Sequence, residues 1–113
     1  MKEKSLQEFE KDLVASARFG TIAVRETGEQ ALDKWRMDCD SLVALAEMFL
    51  KLAEEACARK EKDLTTAWLF LMDKAEDCAR TNLSTETYHL FCMQMLKREN
   101  RYYRCLMEVS DYD

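Results

Sequence analysis

Lys97, Arg98, Arg101 and Arg104 form the one basic concentration in a chain whose net charge is −5. On a helix, positions 97, 101 and 104 share a face beside Tyr102 and Tyr103. Arginines so placed bind a phosphate or an acidic peptide through paired N–H···O bonds. The same residues also suit a solvated face near a helix C-terminus, where cations offset the charge of the last carbonyls. A second arrangement, Glu86-Thr87-Tyr88-His89, has the Glu-x-x-His spacing of metal sites in helical bundles. A two-metal site needs that motif twice, and it occurs once. His89 is the sole histidine and has no nucleophile near it in sequence, so it reads as an ordinary surface or half-buried histidine. Glu47, Glu54-Glu55 and Asp73 with Glu76-Asp77 read as helix-borne carboxylates. No catalytic residue, metal or cofactor is expected, and the chain does not read as an enzyme.

Five cysteines stand at 39, 57, 78, 92 and 105, an odd number with no Cys-x-x-Cys pair. Cys39, Cys78 and Cys92 fall on apolar stripes, where a free thiol packs as a small hydrophobe. Reduced core cysteines in a cytoplasmic protein are the expectation. Acidic and basic residues are interspersed, which argues against a nucleic-acid surface. No apolar run approaches the ~18 residues that a membrane span needs, and Met1-Lys2-Glu3-Lys4-Ser5 leads into an amphipathic stretch rather than the apolar core of a leader. A soluble protein with no membrane insertion is the expectation from that pattern.

The elements that position these residues are helical. Pro is absent, and Gly occurs only at 20 and 28, whereas sheets and long loops rely on both residues for their turns. A hydrophobic fraction of 48% is enough for a core within one domain spanning residues 1–113. The sharpest pattern is Trp35, Cys39, Leu42, Ala46, Phe49, Ala53 and Ala56, spaced alternately by four and three, the seam of a helix packed lengthwise on others. The expected fold is an all-α, antiparallel bundle of three to five helices, one of them long.

Ser5 and Glu8 have capping-box spacing and open a first helix near Leu6, with Leu6, Phe9, Leu13 and Ala17 facing inward. Residues 20–28 read as a bend or frayed connection, or as part of a continuous kinked helix. Thr27 and Gln30 then open a long helix from Gly28 to about Arg59, ~48 Å at 1.5 Å per residue. That length implies either an end shared with a partner or a break at Asp38–Ser41, with Ser41 capping a new helix. Asp63 is the expected cap of a helix from Leu64 to about Arg80, with Leu64, Ala67, Trp68, Leu71, Ala75 and Cys78 inward. Thr81–Ser84 is a turn, and Ser84 or Thr85 starts a last helix. Its face is Tyr88, Phe91, Cys92, Met95, Leu96, Tyr102, Tyr103, Leu106 and Val109. A frayed tail is expected from Ser110 to Asp113. Met48, Met72 and Met93 lie off the main stripes and suggest a second, adaptable apolar face.

Two stretches resemble known families. Ser41-Leu42-Val43, Phe49-Leu50-Lys51-Leu52-Ala53-Glu54-Glu55 and Ala67-Trp68-Leu69-Phe70-Leu71-Met72 make residues 41 to about 79 similar to the MIT-type helical domains, especially those at the N-termini of AMSH-like endosomal deubiquitinases. That resemblance implies a three-helix module that binds helical protein tails or dimerises, without catalysis of its own. Asp73 and Leu71 depart from it, standing where Lys and Tyr are common. Residues 96–109, with Leu96-Lys97, Tyr102-Tyr103-Arg104, Leu106 and Glu108-Val109, are similar to a central helix of the 14-3-3 family. There the resemblance implies phosphate contacts for Lys97 and Arg104, while Cys105 replaces the family's Tyr.

The function expected is therefore a protein-binding adaptor that holds an amphipathic helix in an inter-helix groove, with Phe49, Trp68, Leu71 and Met72 as groove residues. Alternatively, the seam from Leu32 to Leu42 pairs, coiled-coil fashion, with a second copy as a homodimer. A different class of function, an anion- or phosphopeptide-binding helical module, would use Lys97, Arg101 and Arg104.

Overall fold

The computed structural model describes residues 5–111. Among them are six α-helices: α1 (Leu6–Ser16), α2 (Thr21–Lys34), α3 (Cys39–Ala58), α4 (Lys62–Asn82), α5 (Thr85–Leu96) and α6 (Glu99–Asp111). One 3-10 turn, Ala17–Phe19, links α1 to α2. The all-α expectation holds, and the helices number one more than the largest count expected. Residues 112 and 113 of the expected tail, and 1–4 of the N-terminal stretch, lie outside the described residues. Ser110 and Asp111 are helical rather than frayed.

Two of the expected caps form. The Glu8 N–H donates to Ser5 Oγ and the Thr87 N–H to Ser84 Oγ, each at 3.2 Å. They satisfy amides that have no partner inside a helix. The 59–63 polar segment turns the chain as expected, but α4 starts earlier than Leu64 and Glu61 takes the cap position meant for Asp63. Buried Thr65 ties this start together by donating to the Glu61 carbonyl at 2.8 Å.

The ~48 Å helix does not exist as one piece. It breaks at residues 35–38, and α3 is 20 residues long. Asp38 adopts extended backbone, and its carboxylate accepts the Ser41 hydroxyl, a local side-chain bond that competes with helix continuation. Trp35 leaves the seam and sets its ring edge-on to Phe9, centroids 5.1 Å apart. The bend expected over 20–28 shrinks to Gly20, whose φ of +105° is open to glycine and strained for other residues. Thr27 and Gly28 sit inside α2, and the β-branched run there is tolerated because Val24 is fully buried.

The C-terminus of α3 closes on a Schellman motif. The Glu61 N–H reaches Ala56 O and the Lys60 N–H reaches Cys57 O, both at 2.9 Å. Lys60 occupies the left-handed position with φ +59°, where a side chain is unfavourable. Lys60→Gly is therefore expected to stabilise the fold by about 0.5–1 kcal/mol, seen as a higher urea midpoint at unchanged slope.

The expected last helix is also interrupted. The Arg98 N–H bonds Met95 O at 2.9 Å instead of Gln94 O, and the Arg98 guanidinium takes the Gln94 carbonyl at 2.7 Å. The side chain thus replaces its own backbone in the ladder, and the chain turns without Pro or Gly. Neighbours fix the course of the halves. Cys39 lies against Thr87, Glu47 against Arg98 and Cys57 against Glu108, so α5 and α6 together run beside α3 in its direction.

One cluster of buried residues draws members from all six α-helices, from Phe9 and Leu13 through Leu42, Phe49 and Trp68 to Phe91 and Cys105. The chain's principal extents are 40 × 35 × 18 Å, thin enough that few side chains are far from the surface.

Candidate functional site: an acid-rimmed groove

Phe49, Trp68 and Leu71 line no groove. They lie at the centre of the core, with Phe49 and Trp68 stacked at 6.4 Å between centroids. Met72 is buried as well, but one edge of it reaches a surface depression. The stripe that reads as a groove is the stripe that any packed helix carries. Likewise Leu32 and Leu42, the seam meant for a second copy, are buried within the chain itself.

The basic face does not stay together. Lys97 and Arg104 are exposed, while Arg101 lies between two carboxylates of α3. Its guanidinium donates to Glu47 at 3.0 and 2.9 Å and to Glu54 at 3.1 and 2.6 Å. Arg98 adds a 2.8 Å bond to Glu47. Arg101 is thus a clamp that fastens α6 to α3, its proton held more firmly by Glu54 and then by Glu47. The hydrogen bonds from Arg101 hold the Glu47 carboxyl below its ordinary value of 4.5, against a partial loss of hydration. A carboxylate whose pKa is lowered by folding stabilises the fold above its unfolded pKa and loses that contribution as pH falls through the folded one. Wild type is accordingly expected to lose stability below about pH 4.5, with Glu47→Gln losing less over the same window. These side chains are about one-third exposed, so solvent screening limits the clamp to about 1–2 kcal/mol. Urea melts of both proteins at stepped pH measure it.

His89 and Glu86 are both exposed. Among the described residues no group of three His, Cys, Asp or Glu side chains could hold a metal ion. Cys57 donates from Sγ to Glu108 Oε2 at 2.8 Å, and burial pushes the neighbouring Cys105 thiol up to about 11, so both serve as packing at the α3–α6 contact.

The site sequence reasoning missed lies between α4, α5 and α6. A groove of 460 Å³ is walled by Met72, Met95, Leu96, Tyr102, Tyr103 and Leu106. Three of these, Leu96, Tyr103 and Leu106, are 66%, 51% and 40% exposed. The expectation that they face the core fails because the break at 97–98 re-aims α6. Arg101 and Cys105 turn inward, and Leu96, Tyr103 and Leu106 are left on the wall. Asp73, Glu76 and Glu99 line the same depression, with no Lys or Arg among its lining residues. The Tyr102 hydroxyl donates to both Asp73 oxygens at 3.0 and 3.1 Å, and its ring meets Tyr103 edge-on at 5.3 Å. Loss of hydration at the wall raises the Asp73 carboxyl, partly offset by the Tyr102 bond. Burial and then the hydrogen bond to Asp73 raise the Tyr102 hydroxyl, so it remains a donor at neutral pH.

A second depression of 400 Å³ between α2 and α4 is ringed by Glu29, Asp33, Arg36, Lys74 and Asp77, whose mixed signs favour no one class of ligand. Among the described residues no helix is long and apolar enough to cross a membrane. Comparisons with protein-family models, with curated proteins and with solved structures find no match for this chain.

Proposed function

We propose that the chain is a non-catalytic, all-α interaction module that holds an amphipathic helix of a partner protein in the α4–α5–α6 groove. The observation carrying this reading is the exposed apolar wall of Leu96, Tyr103 and Leu106 above a rim of three carboxylates. Exposed apolar surface of this kind marks contact sites, and the groove has the form that an amphipathic helix fills. The carboxylates select a partner whose apolar stripe is flanked by Lys or Arg, and they set its orientation more than its affinity. Tyr102 and Tyr103 supply rigid aromatic surface, the residue type that concentrates binding energy at interfaces. The engagement of Arg101 by Glu47 and Glu54 weighs against the anion-binding reading, because the middle of that face is already neutralised.

An amphipathic Leu/Lys helical peptide, labelled for fluorescence anisotropy, tests the proposal. Wild type is expected to bind it. Leu106→Asp is expected to weaken binding at least tenfold, about 1.4 kcal/mol, at unchanged helicity. Glu76→Lys with Glu99→Lys should weaken it less and flatten its salt dependence. Tighter binding of a phosphopeptide than of the Leu/Lys helix, lost on Arg104→Glu, would overturn the assignment in favour of anion recognition.

A further inference from the structure

Among the described residues the most exposed large apolar side chains are Phe19 and Ile22, at 81% and 74%, three positions apart at the corner where α1 gives way to α2. Gly20 turns the chain there, with Phe19 ending the 3-10 turn before it and Ile22 in the first turn of α2 after it. Val14, half exposed on α1, is a further exposed apolar residue shortly before them in the chain. From Leu13 to Arg25 there is no acidic residue, while Arg18 and Arg25 are cationic. Arg25 lies 4.5 Å over the Phe70 ring, which holds its charge beside the corner. The groove complements it: concave, likewise apolar-walled, and lined by Asp73, Glu76 and Glu99 with no Lys or Arg.

We propose that the Phe19–Ile22 corner of one copy docks in the α4–α5–α6 groove of a second copy. The inference rests on the groove being a site for helical segments and names this chain as its occupant. Phe19 and Ile22 fill the wall formed by Leu96, Tyr103 and Leu106, and Arg18 meets the carboxylate rim. Charge complementarity favours this pairing over two grooves or two corners meeting, since each of those would juxtapose like charges. Corner and groove are different surfaces, so the contact is head-to-tail. A docked pair keeps one free corner and one free groove, giving a closed ring or an open chain and not a self-limiting two-fold dimer.

Sedimentation velocity across micromolar to millimolar protein tests this with two variants. Phe19→Asp removes the corner and keeps the groove, and Leu106→Asp removes the groove and keeps the corner; both positions are exposed, so neither change disturbs the core. Wild type is expected to grow in mass with concentration beyond a dimer. Each variant alone should stay monomeric, and an equal mixture of the two should form a one-to-one dimer that grows no further. Monomeric wild type throughout would overturn self-docking. Binding of the Leu/Lys peptide by that same monomer would leave the groove's proposed role standing, and no peptide binding would remove both. Monomeric wild type that floats with phosphatidylserine-containing vesicles, with flotation lost on Phe19→Asp, would overturn it by assigning the corner to a lipid surface. A mixture that fails to pair although wild type associates would also overturn the head-to-tail contact.

Discussion

Phe49→Ala is expected to destabilise the fold by about 3–5 kcal/mol, a large part of the roughly 5–15 kcal/mol available to a domain of this size. Phe49 is fully buried on α3 and stacks on Trp68 of α4, which is itself fully buried. Removing the ring withdraws its transfer free energy and leaves a cavity that neither helix can close without moving the other. Urea denaturation with an unchanged slope reads the loss directly. Leu106→Ala on the groove wall is the matched control and should stay within about 0.5 kcal/mol of wild type. A cost for Phe49→Ala below about 1 kcal/mol would place that ring outside the core.

Gly28→Val should destabilise by about 2–3 kcal/mol, although it replaces a poor helix former inside α2. A Cβ at position 28 would overlap both methyls of Leu71 on α4, approaching Cδ2 to 2.6 Å. Leu71 is fully buried, so its side chain can give way only against packed neighbours. Helix propensity alone predicts a gain of less than about 1 kcal/mol, so the sign separates propensity from packing. A double-mutant cycle sharpens the result. Leu71→Ala alone costs about 2–5 kcal/mol, and in the Gly28→Val background it should cost clearly less, because the removed methyls are those that clash. Equal costs in both backgrounds would mean that α2 and α4 do not meet at this point.

How far the fold could be read from the residues depended on whether the signal was local. The Ser5 and Ser84 caps, the polar turn near 59–63 and the inward faces of α3 and α4 follow from spacing over a few residues, and all are present. The misread joints depend on partners distant in sequence. At 97–98 the helix stops because Arg98 is drawn towards Glu47, 51 residues earlier, and takes the Gln94 carbonyl on the way. The break beside Asp38 was one of two readings open in the sequence; Asp38 rather than Ser41 takes the cap position there, and Trp35 packs on Phe9. Gly28 reads as the start of a helix opened by Thr27 and Gln30, and proves to lie inside α2 at the close approach of two helices.

The candidate site was less legible still. Phe49, Trp68 and Leu71 are prominent because they are core, and an apolar stripe looks alike whether it meets its own chain or another. The basic face is prominent in sequence, yet Arg101 is consumed by α3. What reveals the groove is excess: α6 carries apolar residues at 102, 103, 106 and 107, more than one face can bury. That signal was present in the residues. Which part of the excess lies exposed depended on the turn at 97–98.

The most direct test of the central claim is a residue-resolved map of where an amphipathic helix binds, from amide and methyl chemical shifts recorded as the Leu/Lys peptide is added. The groove account predicts saturable shifts confined to Met72, Asp73, Met95, Leu96, Tyr102 and Leu106 with their immediate neighbours. Shifts centred on Lys97 and Arg104, shifts spread through the core, or none at millimolar peptide would contradict it.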